Sequence, residues 1–346
     1  MSKFIANTFN KIGRTAIVFR CIPLLLLYMM MCSLPAYAEY SYQVVSFPGV
    51  VSTYFNGINN AGKVIGGAGD HGASFAFIYD MKSGEYTDID PEFWATEISN
   101  PGVMVGSVDN VCAMRDKQGN ITTFFPPSWA VDKFCNAAGV NSNGKVSGVV
   151  RDAEDDEFGI WTGFIYDPEY DTYEEFLPSR RTITRAINAQ GQNVGSVWLF
   201  ENEAYAGSPE GHYGYLRQVD GSVKYFAISQ SRPGRTRARG ISENGLVSGF
   251  YVDPDTFEWK GYVATLSDGN EFEEITLSDD QVVYQRPCDP NVPPSPPGYE
   301  FFGTDIIASQ IRNDGVVVGS CWDWYFNDTT GDWIEYAHGF IATPIK

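Results

Sequence analysis

A single spacing recurs along the chain: an aliphatic residue, a glycine four residues later and a second glycine eight residues later. The copies are Ile58/Gly62/Gly66, Ile98/Gly102/Gly106, Val140/Gly144/Gly148, Ile187/Gly191/Gly195, Ile241/Gly245/Gly249 and Ile311/Gly315/Gly319. Most copies are followed by a small residue and an apolar, aromatic run, as in Ala76-Phe77-Ile78-Tyr79 and Gly163-Phe164-Ile165-Tyr166, whereas the copy around Ala113-Met114 is degenerate. Periods of this length mark modular architectures, in which one supersecondary unit is repeated and each unit covers the apolar face of the next.

Each copy reads as a small antiparallel sheet. In the first, a strand ends near Ile58 and Asn59-Asn60-Ala61-Gly62 turns the chain. Asn tolerates turn conformations and Gly supplies positive φ, so a tight hairpin with a bulge at Gly62 is expected. Gly66 marks a place where a side chain would obstruct packing. A third strand over 75–79 and a fourth over 85–89 complete the unit. The last copy stops after its third strand, and the alternating segment Tyr40–Val45, which precedes the first copy, is a candidate for the missing one. Pairing beside 339–342 would close a ring and remove the exposed sheet edges. Six four-stranded units at about 50 residues each predict an all-β, six-bladed β-propeller, closed by the N-terminal strand on the last blade. An open solenoid would need caps at its ends, and none is evident.

The first 38 residues read as an export signal and are set apart from the propeller domain, 39–346. Lys3, Lys11, Arg14 and Arg20 form a positive region, 22–34 an apolar core, and Ala36-Tyr37-Ala38 a small-x-small cleavage site. No later stretch approaches the ~18–20 apolar residues of a membrane span. A secreted or periplasmic chain without a span is therefore expected.

The formal net charge of the whole chain is −19. Its acidity argues against nucleic acid, whose binding depends on neutralising phosphates. It is compatible with a solvated surface or with bound calcium, for which Asp253-Pro254-Asp255 and 152–157 are candidate stretches, although neither is a complete EF-hand loop. No other cofactor is implied. Past the leader, Cys112, Cys135, Cys288 and Cys321 remain, an even number that suggests disulfides in an exported chain. Three connectivities are open, and the order along the chain favours Cys112 with Cys135 and Cys288 with Cys321.

The Gly-Ile-Asn-x-x-Gly-x-Val-x-Gly cores, seen in full at 57–66, resemble the HAF repeat of exported bacterial proteins, which is named for a His-Ala-Phe tripeptide. The likeness covers nearly the whole chain after the leader. At the naming tripeptide only His338-Gly339-Phe340 comes near, and the other copies hold Phe75, Cys112, Thr162, Tyr213 and Lys260. The resemblance implies repeat architecture and export, and it supplies no catalytic residue.

The hairpins after the first strands are nearly constant in length. Variation is confined to the other face, at 149–162, 196–213, 250–260, 320–338 and the insert near Cys288, and variable loops on a rigid scaffold are where binding concentrates. Two features mark that face. Arginines gather ahead of the fourth and fifth copies (Arg180, Arg181, Arg185; Arg232, Arg235, Arg237, Arg239), with Arg185 and Arg239 both two residues before the aliphatic anchor and so aimed toward the central channel. Guanidinium groups suit bidentate capture of carboxylate, sulfate or phosphate. Trp161, Trp198, Trp259 and Trp322 lie in or beside the variable loops, where indoles can stack on sugar rings.

The histidines His71, His212 and His338 have no metal-ligand spacing, and there is no nucleophile elbow, phosphate loop or dinucleotide fingerprint. The expected function is a monomeric, non-enzymatic module that binds an anionic saccharide or surface polymer. The candidate ligand residues are Arg181, Arg185, Arg237, Arg239, Trp161, Trp198, Trp259, Trp322 and His212, with no metal site. The alternatives are a polysaccharide lyase or hydrolase using His212 or a loop carboxylate, and a scaffold for another exported protein.

Overall fold

The computed structural model describes residues 40–70, 75–128, 133–152, 160–176, 178–179, 181–200, 209–267, 272–284, 288 and 296–345. The leader, His71, Arg180 and the acidic stretch 153–157 lie outside these residues. Apart from a short 3-10 turn at Asp279–Gln281, the regular structure described is β-strand.

The repeats fold as antiparallel up-and-down units, numbered here in chain order. Unit one pairs Ser52–Ile58, Lys63–Gly69, Phe75–Asp80 and Tyr86–Asp88 in sequence. Unit two does so with Trp94–Ile98, Met104–Val108, Val111–Arg115 and Ile121–Thr123. Units three and four repeat the plan, from Lys133–Val140 to Thr172–Phe176 and from Arg181–Ile187 to Val223–Ile228. In unit six, Glu300–Ile311, Val317–Phe326 and Trp333–Pro344 are joined by Tyr40–Val45 as the outer strand, in register from Tyr40 opposite Pro344 to Val45 opposite Gly339. The architecture is that of a β-propeller.

Unit five departs from the plan. Its first three strands, Thr236–Ile241, Leu246–Val252 and Trp259–Thr265, pair normally. Phe272–Ile275, where a fourth strand is expected, instead runs parallel to Val223–Ile228 and extends unit four. Among the described residues, the vacated edge of unit five pairs with Val282–Val283. Ile275 and Leu277 are thereby buried with Phe226 and Tyr262 in the cluster between the two sheets, a gain in apolar burial that favours the exchange.

Apolar side chains fill the spaces between successive units. Ile65 and Ala76 meet Ala95 and Met104, Val105 and Phe124 meet Ala137 and Phe164, and Leu246 and Val263 meet Ile306, Val317 and Phe340. Two disulfides add covalent ties. Cys112–Cys135 joins the third strand of unit two to the first strand of unit three, and Cys288–Cys321 holds the insert before unit six to that unit's second strand. Cys288 N–H also donates to both carboxylate oxygens of Asp323 at 3.0 Å.

The asparagine of the repeat has a physical role at the hairpins. Asn59 N–H donates to Lys63 O and Gly62 N–H to Asn59 O, a turn that needs the positive φ of 83° at Gly62. In unit three, Asn141 Oδ1 accepts from the N–H groups of Asn143 (3.0 Å) and Lys145 (2.9 Å), while its Nδ2 donates to Asn188 O of unit four at 2.9 Å. Asn59 likewise reaches Ser99 O, and Asn188 reaches Ser242 O. Ser99 and Ser242 cap their own turns through Val103 N–H and Leu246 N–H. The side chain thus closes one turn and ties it to the next unit. Asn141 is buried, so Asn141→Ala should cost about 2–3 kcal/mol, the sum of lost bonds and orphaned groups; urea titration checks this.

Candidate functional site

The ladder between first and second strands skips the residue two before the aliphatic anchor in every repeat. The skipped residues are Asn56, Thr96, Ala138, Arg185, Arg239 and Ser309. A bulge of this kind bends the strand and re-aims a side chain. All of these residues line one cavity of about 380 Å³. Two residues earlier on the same strands, Tyr54, Trp94, Asn136 and Ile307 line it as well, and Ser320 and Trp322 of unit six complete the wall. Because the first strands run toward the hairpin turns, this second layer lies on the side of the cavity away from them.

The cavity is electrically lopsided. Arg185 and Arg239 come from adjacent units four and five, and Arg237 stands close enough to feel the charge of Arg185 and to act on Arg239. Burial, and for Arg239 then the nearby Arg185 and Arg237, lowers the proton affinity of Arg185 and Arg239. Burial followed by repulsion from Arg185 and Arg235 brings Arg237 down to about 10. Among the described residues no carboxylate forms an ion pair with Arg185, Arg237 or Arg239. Their visible support is the ring of Phe250, 5.6 Å from the guanidinium carbons of both Arg237 and Arg239. Uncompensated, sheltered cations favour an anion in the space before them.

The facing wall is aromatic and neutral. Tyr54 and Trp322 pack with ring centroids 5.8 Å apart, Trp94 is 38% exposed, and Asn56, Thr96, Ser309 and Ser320 bring amides and hydroxyls. A cationic pair opposite ring faces and hydroxyls can hold a ligand with an anionic end and an amphipathic body.

One carboxyl group meets the cavity. Glu97, one residue past its bulge, is 4% exposed. It accepts hydrogen bonds from Ile98 N–H at 2.9 Å and from Gln310 Nε2 of unit six at 2.6 Å. Glu97 lines both the cavity and a smaller polar pocket among the hairpin turns, which Gln310 also lines. The pair therefore stands between the two spaces. Glycines at the equivalent positions make room: a Cβ on Gly57 would lie 2.4 Å from Glu97 Oε1, and one on Gly240 would lie 2.4 Å from Gln310 Oε1.

Burial pushes Glu97 up to about 8, against the hydrogen bonds it accepts. Its folded-state value lies above the unfolded one near 4.3, so the native state holds the extra proton between them. Stability is then full below about pH 4 and falls as pH rises toward 8, by up to about 1.4 kcal/mol per pH unit from this group. Thermal melts from pH 5 to 8 should show that decline, and Glu97→Gln should flatten it.

The other sequence candidates form flanking clusters. His212 is buried, its ring centroid 4.7 Å from that of Trp198. Burial, then Arg237, Arg235 and Arg181, holds it down at about 3. Trp198 donates from Nε1 to Glu210 Oε1 at 3.0 Å and carries Arg181 over its ring. Trp161 packs under Arg151, and Trp259 stacks on Phe250 with centroids 5.0 Å apart. Of the set, Arg185, Arg239 and Trp322 line the cavity, and Arg237 stands beside them. Asp253 is engaged by Asp255 N–H, Thr256 N–H and Lys260 Nζ. Among the described residues no group of three or more His, Cys, Asp or Glu could hold a metal ion.

Tyr54 and Trp94 were legible by a signal applied only to the arginines: position relative to the anchor. Extending the two-before and four-before register to every copy collects Asn56, Thr96, Ala138 and Ser309 along with Tyr54, Trp94, Asn136 and Ile307.

No protein-family model matches the chain, and no curated protein matches it either. Solved structures with some similarity include a luciferin-regenerating enzyme, 11% identical with a TM-score of 0.49, covering 89% of this chain and 96% of that one. Others are a subtype N11 neuraminidase-like protein of a flat-faced bat strain from Peru, at 8% identity and TM-score 0.47 over 89% and 96%, and the WD40 domain of SCAP from fission yeast, at 8% and 0.32 over 90% and 97%. Likenesses of this strength say nothing about the chemistry of this chain. Among the described residues no helix is long and apolar enough to cross a membrane.

Proposed function

We propose that this chain is an exported HAF-repeat protein, a six-bladed propeller closed by its N-terminal strand, that binds an anionic saccharide in the central cavity. Six blades and closure are supported by the packing of each first strand against the next and of Ser52–Ile58 against Glu300–Ile311, and by Val318 and Ile341 of unit six sharing a cluster with Phe55 and Phe77 of unit one. Export is supported by the leader composition and by two disulfides, which persist in oxidising compartments.

The observation that carries the binding function is the pair Arg185 and Arg239, which line the cavity with no ion-pair partner among the described residues, opposite Tyr54, Trp94 and Trp322. The carboxylate or sulfate of an acidic sugar would meet the guanidinium groups, and its ring would lie against the aromatic wall. A binding module fits better than an enzyme using His212. That imidazole sits outside the cavity lining, and a group held near 3 is a weak base.

The test is a display of uronate-bearing, sialylated, sulfated and neutral glycans probed with residues 39–346, with and without calcium and at two salt concentrations. Binding confined to acidic glycans and weakened by salt supports the reading. Binding of neutral glycans alone, or capture of a protein partner with no glycan bound, overturns it.

A further inference from the structure

Unit six is built differently from its neighbours above the cavity. Counting from the second glycine of the repeat, its middle strand continues from Ser320 to Phe326, whereas the middle strands of units one and two end at Gly69 and Val108, three and two residues past theirs. The extra length projects the sheet by roughly 13 Å at about 3.3 Å per residue. In unit two the chain turns back at once, through Asp109 and Asn110 at φ 47° and 66°, a two-residue hairpin. The rim is low at unit two and the unit-six sheet stands above it.

The register of that projection is continuous from Val317 opposite Ala342 to Phe326 opposite Trp333, so alternate residues share a face. Trp322, Trp324 and Phe326 lie on one face, the one that begins at the cavity with Ser320 and Trp322. Phe326 and Trp333 have centroids 4.6 Å apart, and Phe302 meets Trp333 at 4.8 Å. Trp333 is 49% exposed. Ring positions thus succeed one another at about 7 Å along the strand, starting from the cavity wall.

The charges beside this track are negative. Trp324 Nε1 donates to Asp305 Oδ2 at 3.0 Å, Glu335 is the cross-strand neighbour of Trp324, and Glu300 that of Phe326. Positive charge lines the cavity at Arg185 and Arg239, and among the described residues Trp324 and Phe326 each have an acidic cross-strand neighbour.

We propose that the ligand is an oligosaccharide carrying one acidic unit, seated in the cavity, whose neutral sugar units stack along Trp324, Phe326 and Trp333. This rests on the cavity reading and extends it. The cavity reads the charge, the track reads chain length, and the flanking carboxylates disfavour further acidic units.

Calorimetric titration of the mature protein with three probes tests it: glucuronic acid, tetragalacturonate, and an aldotetraouronic acid with one glucuronate on three neutral xyloses. The aldotetraouronic acid should bind at least tenfold more tightly than glucuronic acid and more tightly than tetragalacturonate. Trp333→Ala, at a half-exposed position, should remove most of that gain and leave glucuronic acid binding within about twofold; Trp324→Ala should act in the same direction. Equal affinity for glucuronic acid and the aldotetraouronic acid, or an unchanged gain in Trp333→Ala, overturns the track while leaving the cavity reading intact. Tighter binding of tetragalacturonate overturns the assignment of neutral units. No binding of any probe overturns both readings.

Discussion

Replacing Arg185 and Arg239 together with alanine should weaken binding of an acidic saccharide by at least a hundredfold without lowering the melting temperature. Charge-assisted hydrogen bonds contribute about 1.5–3 kcal/mol each, and two of them correspond to roughly a hundredfold to twenty-thousandfold in affinity. Stability should behave differently from binding. Neither guanidinium has an acidic partner among the described residues, and the arginines of this cluster repel one another. Truncation therefore orphans no carboxylate and relieves repulsion, offset by the loss of the Arg239 contact with the Phe250 ring. Isothermal titration and thermal melts of the same preparation separate the two effects. A double variant that binds normally, or that unfolds, contradicts the assignment.

The second large effect is at the second glycine of the repeat. A Cβ on Gly106 would lie 1.9 Å from Trp94 O, one on Gly195 2.0 Å from Ile183 O, and one on Gly319 2.0 Å from Ile307 O. In each case the carbonyl belongs to the residue four before the anchor, on the strand that carries the bulge. Tyr215 and Phe340 close over Gly195 and Gly319 from the third strand. Backbone on one side and a packed ring on the other leave nothing that can yield cheaply. Gly195→Ala should therefore destabilise by about 4 kcal/mol or more, near the limit for single substitutions, and distort the strand that bears Arg185. Gly331→Ala, at a φ of 75° but with nothing within 4 Å, should cost only about 1 kcal/mol. Chemical denaturation of the two variants beside the parent checks the contrast.

These glycines also explain what could be read before the structure. A position that tolerates only glycine, for its φ at Gly62 or its crowding at Gly66, leaves a fixed mark at every copy, so the hairpins and the propeller plan were legible. The partner of Tyr40–Val45 was legible because a strand left over at one end matched a vacancy at the other. The cysteine pairs followed from their neighbourhood along the chain. The departure of Phe272–Ile275 to the edge of unit four was not, because an outer strand can satisfy its ladder on either neighbour and the choice turns on burial of Ile275 and Leu277. Of the site, the shared register of Arg185 and Arg239 was visible, and the same register carried to every copy reaches Tyr54 and Trp94, four residues before their anchors. Strict alternation places the residues two and four before the anchor on the anchor's own buried face, and the bulge before the anchor turns them into the cavity instead. The height of unit six was masked by Gly303 and a bulge at Phe302, which interrupt the alternation of a twelve-residue strand.

The most direct test of the central claim watches the guanidinium groups themselves. In arginine-labelled protein, the Nε–H resonances of Arg185 and Arg239 are assigned by single substitution and followed by NMR as glucuronic acid, or glucose as the neutral control, is added. The account predicts saturable shifts at Arg185 and Arg239 with glucuronic acid and none with glucose. Shifts confined to exposed arginines such as Arg232 and Arg235, or identical responses to both sugars, would contradict it.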